Sequence, residues 1–158
     1  MKSVRDMVHV QLEKMHSDVV VPAYKYDSDS GMDVTAYIKS NDTPSSIRIP
    51  ALGTALIPTG IKASIPDGYE IQVRSRSGLA LKQGIVVKNS PGTLDASYRG
   101  EIGVILYNTN ESTEVTVSHG DRIAQLVLCQ VPKIEWNVVA GLDITGRGEG
   151  GFGSTGIK

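Results

Sequence analysis

Apolar residues in this chain recur at every second position over short stretches, and clusters of turn formers cut the stretches apart. Val8, Val10 and Leu12 alternate with polar neighbours, as do Tyr69, Ile71 and Val73. Ser112 to Ser118 alternates around Val115 and Val117. Ile102 to Tyr107 is apolar and rich in β-branched residues, and Ile123 to Val131 is a longer apolar run. A period of two sends successive side chains to opposite faces of a strand, and β-branched residues suit that pleated surface. The interruptions are Asn41-Asp42-Thr43-Pro44, Pro66-Asp67-Gly68, Ser90-Pro91-Gly92, Asn108 to Ser112 and His119-Gly120-Asp121. Many short strands at near-regular spacing predict an all-β domain, a sandwich or a jelly-roll barrel. Only Leu79 to Gln83 reads as helix, and it is about one turn long. At 158 residues the chain is large enough for one core. The expected organisation is one β domain over residues 1–140, with 1–20 a somewhat extended N-terminal segment, then a mobile C-terminal arm over 141–158.

Bulk charge and cysteine content narrow the function. A net charge of −1 provides no basic field for nucleic acid, so an anionic ligand would have to be held by local arginines. Cys129 is the only cysteine, so no intramolecular disulfide can form. That fits a reducing compartment, the cytoplasm, or a host's cytoplasm for a viral chain. Met7-Val8-His9-Val10-Gln11 is too short and interrupted for a signal peptide, and no run approaches a membrane span. His9, His16 and His119 lack metal-ligand spacing, and one cysteine does not make a structural zinc site. No Gly-x-Ser-x-Gly elbow, HExxH or Walker A occurs.

Four internal segments crowd polar groups at turns, each with a plain structural alternative. Arg74 and Arg76, two apart, are expected on one face of a strand, with Ser77-Gly78 turning sharply where N–H groups and a hydroxyl could take phosphate. The alternative is a solvated strand end. Asn89 to Glu101 reads as a decorated hairpin: Asn89 can donate and accept as a base edge requires, Asp95 lies just past the tip, and Tyr98 follows. Gln125 shares a strand face with Ile123, Val127, Cys129 and Val131, and an amide on an apolar face needs a partner, either backbone or ligand. Asp33 opens a strand after the acidic loop Asp27-Ser28-Asp29-Ser30, which by itself reads as a turn.

The C-terminus is the one Gly-dense stretch, Gly146-Arg147-Gly148-Glu149-Gly150-Gly151-Phe152-Gly153-Ser154-Thr155-Gly156, and it holds the only phenylalanine. Ordering such a chain costs about 1–2 kcal/mol of backbone entropy per residue. It should be mobile until a ligand orders it. Arg147 offers a fork for phosphate, Ser154 and Thr155 offer hydroxyls, and Phe152 a flat face for a base. It reads either as a lid for a nucleotide or as a frayed end. Gly146 to Gly151 also fits G-x-G-x-x-G, but no helix can follow, so that match is accidental.

Taken in order, five segments resemble the motifs of the homotrimeric dUTPases (deoxyuridine 5'-triphosphate nucleotidohydrolases) over roughly residues 22 to 156. They are Ser30-Gly31-Met32-Asp33, Arg76-Ser77-Gly78-Leu79-Ala80, Asn89 to Gly100, Gly120-Asp121-Arg122-Ile123-Ala124-Gln125-Leu126, and Arg147 to Gly156. Met32 stands where the family usually has Tyr or Leu. The resemblance implies a jelly-roll of the β-clip type, a homotrimer with active sites between subunits, and a tail that closes over a site built largely by neighbours. It implies hydrolysis of dUTP to dUMP and pyrophosphate with Mg²⁺, lowering dUTP and supplying dUMP for thymidylate synthesis.

The implied roles follow the motifs. Asp95 would be the general base for water attacking the α-phosphorus. Arg76, Ser77, Gly78, Gln125, Arg147, Gly153, Ser154 and Thr155 would bind the phosphates. Asn89 with Gly92, Thr93 and Leu94 would read uracil and exclude thymine's methyl, Tyr98 would exclude a 2′-hydroxyl, and Phe152 would stack on the base. Mg²⁺ would ride on the triphosphate, with Asp33 holding it through water. A dCTP deaminase on the same fold and a catalytically silent jelly-roll serving a binding partner are the competing readings. Ammonia release from dCTP would mark the first, and no nucleotide turnover the second. No residue pattern points to a regulatory protein partner.

Overall fold

The computed structural model describes residues 7–151. Within them, β1 (Gln11–Lys14), β2 (Met32–Thr35), β3 (Lys39–Ser40), β4 (Thr43–Pro44), β5 (Ser46–Ile49), β6 (Thr54–Ile57), β7 (Ile61–Ser64) and β8 (Tyr69–Arg74) precede helix α1 (Ser77–Gln83). After it come β9 (Ile85–Val87), β10 (Gly92–Leu94), β11 (Val104–Asn108), β12 (Val115–Ser118) and β13 (Arg122–Gln130). All pairings are antiparallel. The largest sheet runs β10-β8-β13-β2; β6-β11-β9 forms a second, and β12-β5, β1-β7 and β3-β4 are two-stranded. The fold is the expected all-β jelly-roll, with one short helix.

Alternation explains the core. In β11, Val104, Leu106 and Asn108 are buried while Ile105 and Tyr107 are only half-buried. The buried set is almost entirely Ile, Val and Leu, including Ile49, Ile57, Ile61, Ile102 and Ile123, with no aromatic ring among them. Two polar residues, Thr59 and Asn108, are built into this interior, and Thr59 Oγ1 donates to the Ile102 carbonyl. Fully buried Asn108 donates through Nδ2 to the carbonyls of Ile49, Pro50 and Thr113, and its Oδ1 accepts from Asn110. Removing that amide would take a donor from three carbonyls, so it ties the β5–β6 turn to the end of β11.

Helix α1 ends where Gly84 adopts a left-handed φ of 65° and donates to the Ala80 carbonyl at 3.2 Å. A Cβ there would meet Thr109 Oγ1 at 2.8 Å as well as strain the backbone.

Three expectations shift. The N-terminal strand covers Gln11–Lys14, where it pairs with β7, and not the Val8–Leu12 alternation. Val8 and Val10 are half-buried without a strand partner. The helix begins at Ser77, two residues earlier than expected, with Gly78 in its first turn. β8 ends at Arg74, so Arg74 and Arg76 do not share a strand face. After β13 no strand or helix follows among the described residues, and residues 132–149 are all exposed. No helix among the described residues is long and apolar enough to cross a membrane.

Candidate active site

Sheet register gathers one group of candidate residues. Asp33 in β2 pairs with Gln125 in β13, which pairs in turn with Arg74 at the end of β8. Opposed residues share a face, so Asp33, Gln125 and Arg74 lie together on the outer side of the sheet. This corrects the expected environment of Gln125. Its face carries Glu70, Gln72 and Arg74 from β8, its side chain is exposed, and a bulge between Arg122 and Ala124 breaks the alternation that would have aligned it with Ile123.

Arg76 reaches this group from beyond the end of β8. It caps α1 in an extended conformation, with φ −84° and ψ 125°. Its Nε donates to Asp33 Oδ1 at 3.0 Å and its Nη1 to the Arg122 carbonyl at 2.9 Å. Arg122 Nη1 donates to Asp33 Oδ2 at 3.1 Å, and Gln125 Nε2 lies 3.5 Å from Oδ1. One carboxylate thus sits between two guanidinium groups, a local excess of one positive charge. Ser77 and Gly78 are exposed in the first turn of α1, where N–H groups lack intrahelical partners. Beside them a cavity of about 300 Å³ is lined by Arg76, Leu79, Gln83, Asp121 and Arg122 among others. Arg74 is engaged elsewhere, with Gln72 Oε1 at 2.7 Å and Cys129 Sγ at 3.6 Å.

The Asn89 to Glu101 candidates form a second group but not the expected hairpin, because β9 pairs with β11 and β10 with β8, in different sheets. β10 pairs with β8 so that Gly92 faces Val73 and Leu94 faces Ile71. Gly92 is buried, and a Cβ there would lie 3.2 Å from Asn89 Nδ2 and 3.3 Å from Val73 Cβ. The glycine is what lets the Asn89 amide fold against the start of β10. Asp95 is exposed just past β10 and shares a cavity of about 520 Å³ with Asp67, Tyr69, Glu70, Ser97 and Lys133. Tyr98 is partly exposed, and its hydroxyl donates to the Glu101 carbonyl at 2.9 Å, which holds the ring against Gly100. Asn89, Thr93 and Asp95 are exposed, and Leu94 half-buried.

Gly92 lies beside Val73, near the first group, but Asp95 runs on towards the other end of β8. Leu94 faces Ile71, so Asp95 comes level with Glu70, four residues before Arg74, the position level with Asp33 and Gln125. At roughly 3.3 Å per residue that is about 13 Å along the strand. The two cavities share no lining residue. Arg147 lines neither cavity, and its Nε donates to the Gly150 carbonyl at 2.8 Å within a turn. Phe152, Gly153, Ser154 and Thr155 lie outside the described residues.

A model of the family described as dUTPase matches residues 17–156. The chain belongs to the dUTPase family. It is 52% identical over 139 residues to the deoxyuridine 5'-triphosphate nucleotidohydrolase of Desulfotalea psychrophila, covering 87% of each chain. It is 48% identical to that of a Picosynechococcus species, over 94% of this chain and 99% of the relative. The dUTPase of Staphylococcus bacteriophage 80alpha, solved with dUpNHpp, superposes with a TM-score of 0.80 at 25% identity, over 94% of this chain and 99% of the phage protein. A dUTPase of phage phi11 of S. aureus, which coordinates a structural Mg(II) ion, shares the fold with a TM-score of 0.74 at 21% identity, over 86% of this chain and 99% of the phage protein. The family's reaction, hydrolysis of dUTP to dUMP, is therefore this chain's reaction.

The donor set fits a cation that arrives on its substrate. Among the described residues no three His, Cys, Asp or Glu side chains converge on a metal position. Asp33, flanked by two arginines, is a poor sole ligand for a bare dication and a suitable neighbour for a polyanion carrying one.

Sequence reasoning missed Arg122 as a member of this group, although it lies in the Gly120-Asp121-Arg122 turn. Its guanidinium is tied to Asp33 across 89 positions, which no local spacing reveals. It also missed the cluster on Tyr37, where His16 stacks at 4.7 Å, His119 meets the ring edge-on at 5.1 Å, and the hydroxyl donates to Asp18.

Proposed function

We propose that the catalytic centre joins Asp95 of one copy of this chain to the Asp33, Arg76 and Gln125 group of another, in a homotrimer. The observation that carries this reading is the separation of Asp95 from the Asp33 and Gln125 group along β8. A stretch of about 13 Å is longer than the span from an α-phosphorus to its own γ-phosphate. Exposed Ile134, Trp136, Val138, Leu142 and Ile144 on residues 132–149 give a second reason for association, since this much apolar surface left in water marks an interface. In this reading residues 1–140 form the domain and 141–158 the arm.

Asp95 orients the attacking water and takes its proton. The water oxygen bonds to the α-phosphorus, the bond to the bridging oxygen of the β-phosphate breaks, and pyrophosphate leaves. Such a base must come within about 3 Å of the water. Arg76, Ser77, Gly78 and Gln125 receive the phosphates, joined by Arg147, Gly153, Ser154 and Thr155 from an arm, because phosphoryl transfer depends mostly on charge stabilisation and alignment. Mg²⁺ bound on the triphosphate would neutralise phosphate charge there, and Asp33 would hold it through water with lone pairs left free by the arginines. Asn89 and the main chain of Gly92, Thr93 and Leu94 read the uracil edge, Tyr98 packs on the deoxyribose, and Phe152 covers the base. The setting is a reducing, cytoplasmic one.

Hydrolysis in water enriched in heavy oxygen tests the point of attack. Label in dUMP supports attack at the α-phosphorus, and label in pyrophosphate overturns it.

A further inference from the structure

We propose that Arg122 is a positioning residue that aims Arg76 at the phosphates. The proposal rests on the reading that Arg76 is a phosphate ligand. Three hydrogen bonds close a ring around the two arginines. Asp33 Oδ1 takes Arg76 Nε at 3.0 Å, Asp33 Oδ2 takes Arg122 Nη1 at 3.1 Å, and the Arg122 carbonyl takes Arg76 Nη1 at 2.9 Å. Arg122 therefore holds Arg76 twice, once through its main chain and once through the carboxylate they share.

The ring uses few of the donors that matter. A guanidinium carries five N–H groups. Arg76 spends Nε–H and one Nη1–H on the ring, which leaves Nη2 and the second Nη1–H in a fixed plane, a fork shaped for phosphate oxygens. Without a clamp, a long side chain at the start of a short helix samples many rotamers and meets its anion in few of them. Burial separates the roles: the Arg76 and Asp33 side chains are 21% and 23% exposed, Arg122 58%. The two inner groups are held by packing as well as by the ring, and the outer one closes it from the solvent side. Asp33 also stands between the two cations, so that they can sit together before substrate arrives.

A double-mutant cycle on the full-length enzyme tests this, with Arg122→Met, Arg76→Met and the pair, reading kcat and KM for dUTP and the urea midpoint of each. Arg122→Met is expected to lower kcat/KM by about 10-fold to 100-fold, the scale of a misplaced contact. The same change in the Arg76→Met background is expected to cost almost nothing, because nothing remains to be aimed. Full additivity would overturn the proposal and make Arg122 an independent phosphate ligand. If Arg76→Met alone leaves kcat/KM unchanged, the reading of Arg76 itself falls, a separate result. Arg122→Lys keeps a cation beside Asp33 and the same carbonyl, and should recover most of the activity. A lysine variant as impaired as Arg122→Met, at an unchanged urea midpoint, would also overturn the proposal. The lysine variant carries the test should the methionine variants fail to fold.

Discussion

Asp95→Asn keeps the size and reach of the side chain and removes its basicity. Because the role assigned to Asp95 exists only in the transition state, dUTP affinity should persist while kcat falls by orders of magnitude. Equilibrium binding beside single-turnover rates checks this, and lost affinity at an unchanged rate would contradict it. Tyr98→Ala removes the ring that its own hydroxyl bond to Glu101 holds in place, and should narrow the preference for dUTP over UTP. An unchanged ratio of the two kcat/KM values would move sugar selection elsewhere. At this scale the sequence was most readable where a residue's chemistry is local. Asn89, Asp95 and Tyr98 could be picked from one short polar segment. Asp33 and Arg122 could not be paired, because their contact depends on a sheet register between strands far apart in the chain. Gln125 was read as an interior amide, because its own strand is apolar and the polar strand that faces it is not adjacent in sequence.

The turn between β9 and β10, which lie in different sheets, works through its packing. Gly92→Ala would push a methyl to within 3.3 Å of Val73 and 3.2 Å of the Asn89 amide, so stability should drop by about 1 kcal/mol and KM for dUTP should rise. Urea unfolding and steady-state kinetics measure both, and a neutral effect on each would separate Asn89 from uracil recognition. The segment before β2 is tied to the body by Asp18, which accepts from Lys39 and Tyr37. The Lys39 hydrogen bond, then that of Tyr37, holds the Asp18 carboxyl down from 3.8 to about 2. A depressed carboxylate stabilises the fold above its unfolded value and loses that effect as the pH falls through its folded one. The melting difference between wild type and Asp18→Asn should therefore be present above pH 3.8 and close towards pH 2. The Asp18 side chain is half exposed, so the gap should be small and should shrink with salt. A gap independent of pH would assign the effect to packing. Element by element, β8, β11 and β13 were visible in their apolar periods. β3 and β4 were not, since two-residue strands carry no period, and β1 slipped because its pairing with β7 outweighs the alternation just before it.

The whole molecule presents a body with an aliphatic core and an exposed apolar extension after β13, and Asp95 lies apart from the Asp33, Arg76 and Gln125 group. Deleting residues 146–158 should leave a folded assembly with little activity; loss of the fold would make the tail structural. The all-β class, the helix and the motif order were legible because each is local or sequential. The proposed division of the site was implied only by the family resemblance, because the separation of Asp95 from Arg74 depends on the register of β10 on β8. Subunit exchange tests that division most directly. Asp95→Asn and Arg76→Met assemblies, each impaired alone, would be mixed under conditions that let copies exchange, and dUTP hydrolysis followed. If Asp95 and Arg76 act from different copies, mixed assemblies contain sites with both intact and part of the activity returns. If mixing yields only the average of the two impaired enzymes while exchange is confirmed, both residues act from one chain and the divided site is wrong.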